Sequence, residues 1–99
     1  MAFEAVLDPR AIQDIQEGID YYDDQEIGLG EIFEETIHEH IKKLKHIPFF
    51  QMRYDTVRCL PVSKFPYMIH FTVNEEKETI TVHGVINTHI DPKNWVHRG

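Results

Sequence analysis

The sequence predicts an α+β domain in which an αα-hairpin packs on one face of a largely antiparallel sheet, in the order β-α-α-β-β-β. Three observations carry this expectation. Two apolar stripes run at helical spacing through the first half, Gly28-Leu29-Gly30 interrupts them, and apolar residues alternate through the second half. A chain of 99 residues has room for one domain. The expectation is therefore a single unit over 1–99, with 87–99 as a C-terminal tail.

Phe3 to Leu7 is short, apolar and suited to a strand. Asp8-Pro9 ends it and opens a helix, because Asp8 can cap and Pro9 suits the first helical position, where no amide donor is needed. Ile12, Ile15, Ile19 and Tyr22 follow at spacings of three and four, one stripe along that helix. A second stripe runs through Phe33, Ile37, Ile41 and Leu44, with His40 and Ile47 beside it. Lys42, Lys43 and Lys45 stand where a helix C-terminus favours cations, and Pro48 stops the helix. Two such helices joined by a short glycine turn form an αα-hairpin.

The remainder reads as strands. Arg53 to Val62 alternates, with Pro61 marking a bend or edge. Phe65, Tyr67, Ile69, Phe71 and Val73 alternate cleanly, and Ile80, Val82 and Ile86 answer them across the polar connection Asn74 to Thr79. Facing the apolar sets pairs Val73 with Ile80, Phe71 with Val82, Ile69 with Gly84 and Tyr67 with Ile86. That register sets His70 opposite His83 on the other sheet face, near Met68 and Val85. One face is then covered by the helices and the other is at least partly free.

Composition narrows the function. At 41% hydrophobic and 27% charged, the chain matches ordinary soluble globular usage. No apolar run approaches the roughly 20 residues that span a bilayer. The start lacks a secretory pattern and Cys59 has no partner for an internal disulfide, so a cytoplasmic protein is expected. The net charge of −7 is uneven: 12 acids and 4 bases through Ile47 leave −8, and 5 acids and 6 bases from Pro48 onward leave +1. Phosphate binding relies on clustered Lys and Arg, so the first half is unsuited to gripping nucleic acid.

Several pieces taken together resemble the RelE/ParE superfamily of plasmid-stabilisation toxins over nearly the whole chain. They are Tyr21-Tyr22, Gly28-Leu29-Gly30 with Phe33, Pro48, Val57-Arg58, the run Phe65-Pro66-Tyr67-Met68-Ile69-His70-Phe71, and the closing stretch from Val85 to Trp95. The resemblance implies the β-α-α-β-β-β architecture and a small cognate antitoxin that wraps and neutralises the toxin. This sequence departs from the pattern at two places. Asn87 stands where the family commonly has His, and Ile90 where it commonly has Arg. Positive charge aimed at a developing oxyanion is usually the largest catalytic term, and its loss argues against RNA cleavage. The resemblance then implies a ParE-like inhibitor of a protein target, DNA gyrase. Two alternatives stay open: a degenerate, non-toxic binding module, and a RelE-like ribosome-dependent mRNA endonuclease.

The candidate functional residues are Arg58, Lys64, His70, His83, Trp95 and Arg98. Arg58 matches the family's strand arginine and suits a phosphate, an acidic antitoxin segment or a target protein. Lys64 and Arg98 extend a modest basic rim, and Trp95 packs the tail or stacks on a partner. As cross-strand neighbours, His70 and His83 would form an acid–base pair or supply two metal ligands. The plainer reading is two half-exposed strand histidines, since nothing nearby completes a metal site. His38 and His40 stand two apart on a helix and do not share a face. No catalytic residue is assigned, and neither a metal nor another cofactor is expected. The strand edges and the outer face around Met68, His70, His83 and Val85 are the expected docking places for an antitoxin.

Overall fold

A computed structural model describes residues 3–46, the backbone of 52–54, and residues 56–88. The chain runs through β1 (Glu4–Leu7), α1 (Pro9–Gln25), α2 (Leu29–Leu44), β2 (Met52–Tyr54), β3 (Val57–Pro61), β4 (Tyr67–Asn74) and β5 (Thr79–Asn87). The five strands form one sheet in the order β1-β5-β4-β3-β2. β1 pairs parallel with β5 and every other pairing is antiparallel. The predicted architecture is present, with the Arg53–Val62 segment divided between β2 and β3.

Local chemistry sets both helices. The Asp8 carboxylate accepts the Arg10 N–H at 2.9 Å, and Pro9 occupies the first turn. Gly28 adopts φ 91°, a left-handed turn that glycine takes without penalty. Asp23 Oδ1 then accepts the Gly30 N–H at 2.8 Å, tying the end of α1 to the first turn of α2.

The buried stripe of α1 is Ala11, Ile15, Gly18 and Tyr22. This corrects the expected stripe, because Ile12 is 55% exposed while Ala11 is completely buried. Small residues face inward here because the helices approach closely, a requirement that hydrophobicity alone does not reveal. Gly18 lies against the Phe33 ring, and Gly30 lies against the Ile19 carbonyl. Phe33, Ile37, Ile41 and Leu44 of α2 complete the helical side of the core, as their spacing predicts. Ile69, Phe71, Ile80, Val82 and Val85 form the sheet side.

The β4–β5 register agrees with expectation only at the hairpin end. Val73 pairs with Ile80 and Phe71 with Val82, but His70 then pairs with Gly84, Ile69 with Val85, Met68 with Ile86 and Tyr67 with Asn87. The shift makes His83 the extra residue of a β-bulge. An unbroken register would point Gly84 at the core and leave Val85 outside. The bulge instead brings Val85 inward, where it is 2% exposed, and turns Ile86 to the opposite face. His70 and His83 are therefore not cross-strand partners.

The sheet face opposite the helices also differs from expectation. Val57, Cys59, His70, Gly84 and Ile86 are all buried there. It is not an open docking face around His70, and Val85 does not belong to it. Cys59 is a buried thiol on β3.

The close approach of the helices yields a stability prediction. A Cβ on Gly18 would stand 2.6 Å from Phe33 Cζ, and one on Gly30 would be 2.6 Å from Asp23 Oδ1 as well as against backbone. Gly18→Ala and Gly30→Ala should each lose about 1–3 kcal/mol in urea unfolding. Gly30→Ala should lose more, because a carbonyl yields less readily than a ring.

Candidate functional site

A groove of about 420 Å³ opens where α1 passes the last residues of β5 and the first of β4. Its origin lies in unequal strand lengths. β1 pairs with β5 only as far as Val82, so β5 continues beyond it with one edge that no strand of the described residues covers. Asp14 on α1 occupies that edge, its Oδ2 accepting the Val85 N–H at 3.0 Å. The backbone donor is thereby satisfied by a side chain, as buried amides require.

Glu17 and Tyr21 follow on the same side of α1, and Gly18 leaves space between them and the sheet. Tyr67, Val85, Ile86 and Asn87 line the sheet side. Tyr67 faces Asn87 across the strands. Behind Tyr67 stands an aromatic cluster. Tyr22 and Phe65 lie 4.9 Å apart between ring centroids, Phe33 and Phe65 5.2 Å, and Phe33 and Tyr67 5.0 Å. The Tyr22 and Tyr67 rings lie 6.3 Å apart between centroids, which links the cluster to the groove.

Two phenols are perturbed. Burial raises Tyr67 above the ordinary value of 10.0, Asn87 acts in the opposite direction, and Tyr21, Asp14 and Glu17 add to the rise. Burial also raises Tyr22, with Tyr67 and Tyr21 contributing. Both hydroxyls stay protonated at neutral pH and serve as neutral hydrogen-bonding groups.

The predicted site residues are scattered relative to this groove. Arg58 is half-buried on β3, paired with Phe71, and is not part of the groove lining. Lys64 is exposed in the β3–β4 connection with φ 71°. His70 is completely buried. Its Nε2 makes no hydrogen bond, although the residue is engaged with its neighbours in other ways. His83 is half-buried in the bulge, with Nε2 2.8 Å from Thr72 Oγ1. Trp95 and Arg98, like Ile90, lie outside the described residues. Among the described residues, no group of three or more His, Cys, Asp or Glu is placed to hold a metal ion. None of the described helices is long and apolar enough to cross a membrane.

His40 has a positional role that the sequence did not suggest. Its Nδ1 lies 2.7 Å from the Thr36 carbonyl and its Nε2 accepts the Ser63 N–H at 3.2 Å, tying α2 to the β3–β4 connection. Asp14 and Glu17 were missed as site residues. Their signal was the sequence Asp14, Glu17, Tyr21 at helical spacing around Gly18, which reads equally well as a solvated face.

An αα-hairpin on one face of such a sheet is a fold that known structures also adopt. Three solved structures share it. The chromosomal ParDE toxin–antitoxin system of P. aeruginosa aligns with a TM-score of 0.77 at 16% identity, covering 89% of this chain and 98% of that one. A mutant of E. coli toxin RelE in the free state gives 0.74 at 15% identity, covering 99% and 95%. The intact E. coli RelBE toxin–antitoxin complex gives 0.68 at 16% identity, covering 90% and 100%. No protein-family model matches the chain, and no curated protein matches it either.

The two phenols give an alkaline prediction. A folded pKa above the unfolded one means that the native state holds its protons longer. Stability is then unaffected below the ordinary value of 10.0 and falls as pH rises through the raised folded values. Thermal unfolding between pH 9 and pH 11 should show this fall, and Tyr67→Phe should make it shallower.

Proposed function

We infer that this chain is the toxin-like component of a bacterial type II toxin–antitoxin pair. It is ParE-like, inhibits a protein target, namely DNA gyrase, and is neutralised by a cognate antitoxin. The shared fold supports the toxin class. The observation that favours a protein target over RNA is the composition of the groove beside Asn87.

Among the described residues, that groove is lined by the carboxylates Asp14 and Glu17 and by no Lys, Arg or His. RNA cleavage develops negative charge at phosphate, and preorganised positive charge or donors must meet it. Carboxylates at that position oppose it. Arg58 and Lys64 stand elsewhere and do not reverse the sign of the groove. A plasmid-stabilisation role in the bacterial cytoplasm follows from the same reading. Arg58 is then the leading contact to target or antitoxin, as a charged group on a rigid strand.

Tightly induced expression without the antitoxin tests this. Growth arrest with collapsing plasmid supercoiling and intact mRNA is the expected outcome. Cleaved mRNA with normal supercoiling would establish the nuclease instead, and unimpaired growth with soluble protein would establish a non-toxic binding module. In the same assay Arg58→Ala should relieve arrest. Losing one charged hydrogen bond of about 1.5–3 kcal/mol weakens target binding roughly tenfold or more.

A further inference from the structure

The β3–β4 connection is tied to α2 through a group that titrates. A carbonyl only accepts and an amide N–H only donates, so the two partners of the His40 ring leave it one protonation state. Nδ1 carries the hydrogen and donates to the Thr36 carbonyl, and Nε2 keeps its lone pair for the Ser63 N–H. A second ring proton would sit on Nε2, directly against that N–H, and the tie would be lost. His40 is half-buried and Ser63 is exposed, so water reaches the contact.

A second observation lies one residue further on. Lys64 has φ 71°, a left-handed conformation that is uncommon for a residue with a Cβ. Such a residue keeps this conformation where its surroundings hold it. His40 holds one side of it through Ser63. The other side is anchored by contacts that acid does not alter: Phe65 packs edge-on against Tyr22 and Phe33, and the Thr88 N–H donates to the Pro66 carbonyl. Among the described residues, the charged or titratable groups along these elements are Glu39 and Lys43 on α2, Lys64 itself, Tyr67 at the start of β4 and Arg58 toward the far end of β3. The buried stripe of α1 adds only the Tyr22 phenol. The three cations oppose a second ring proton and Glu39 favours it.

We propose that His40 is a proton-operated latch: its neutral ring holds Ser63 to α2 and keeps Lys64 left-handed, and ring protonation releases that half of the connection while Phe65 stays seated. Imidazole is the side chain whose ordinary charge change falls between about pH 5 and 8. The exposed Lys64 ammonium is presented in one orientation while the latch is closed and in many once it opens. The inference stands on the connection alone and does not depend on the toxin reading.

The test is NMR of the full chain between about pH 8 and about pH 5, with amide exchange referred to an unstructured peptide at each pH. Protection of the Ser63 amide should fall about fivefold as the His40 ring charges, the contribution of one neutral hydrogen bond. The strong NOE between the Lys64 N–H and its own Cα–H, the mark of a positive φ, should weaken over the same range. Ring contacts between Phe65 and Tyr22 should persist. His40→Gln supplies an acceptor that does not titrate and should abolish the pH dependence at Ser63. His38→Gln, at an exposed position on the same helix, should leave it unchanged. Ser63 protection that ignores the charge of the His40 ring, or that titrates equally in His40→Gln, would overturn the latch. Simultaneous loss of the Phe65 contacts would overturn it too, because the whole domain would then be loosening. The titration of the unmodified chain can fail in either the first or the last way, whether or not the variants fold.

Discussion

The seating of Phe33 against Gly18 is the contact on which the rest of this structure depends. It sets how closely α2 can approach α1, and through the rings of Tyr22, Phe65 and Tyr67 it fixes where the hairpin meets the sheet. Aromatic pairs in tilted or edge-on contact add specificity to ordinary apolar burial. Because Gly18 also lines the groove, the residue that permits close helix packing also leaves space beside the sheet. Stability and site are therefore coupled through one position that has no side chain.

The bulge at His83 is the second constraint. A strand presents alternate residues to one face, so one extra residue reverses every side chain beyond it. Here the reversal sends Val85 into the core, gives Ile86 to the opposite face and brings Asn87 across from Tyr67. Termination of β1 opposite Val82 leaves the Val85 amide to Asp14 rather than to a neighbouring strand. The groove thus arises from a short edge strand, a bulge and one helical carboxylate acting together.

Among the described residues, the groove lining is the electrostatic inverse of a phosphate site. Two carboxylates, Asp14 and Glu17, stand there beside the protonated Tyr67 phenol, while the strand arginine stands apart from them. One fold can carry different chemistry because its framework is held by apolar and aromatic contacts, leaving the polar lining free to vary.

Much of the framework was legible in the sequence, and for identifiable reasons. Helical spacing from Phe33 to Leu44, the Asp8-Pro9 start, the Gly28 turn and the alternation of Phe65 to Val73 are local signals, each set by backbone geometry within a few residues. The burial of Ala11 in preference to Ile12, the bulge at His83 and the separation of His70 from His83 were not legible. They depend on how much space a distant element leaves and on which residue best fills the core. The groove was hidden for the same reason. Asp14 and Glu17 look like any solvated helix face until folding brings Val85, Tyr67 and Asn87 against them. The sequence by itself determined the elements, their order and the uneven charge; only the tertiary structure decided which carboxylates face a groove, because that depends on contacts between residues as far apart as Asp14 and Val85.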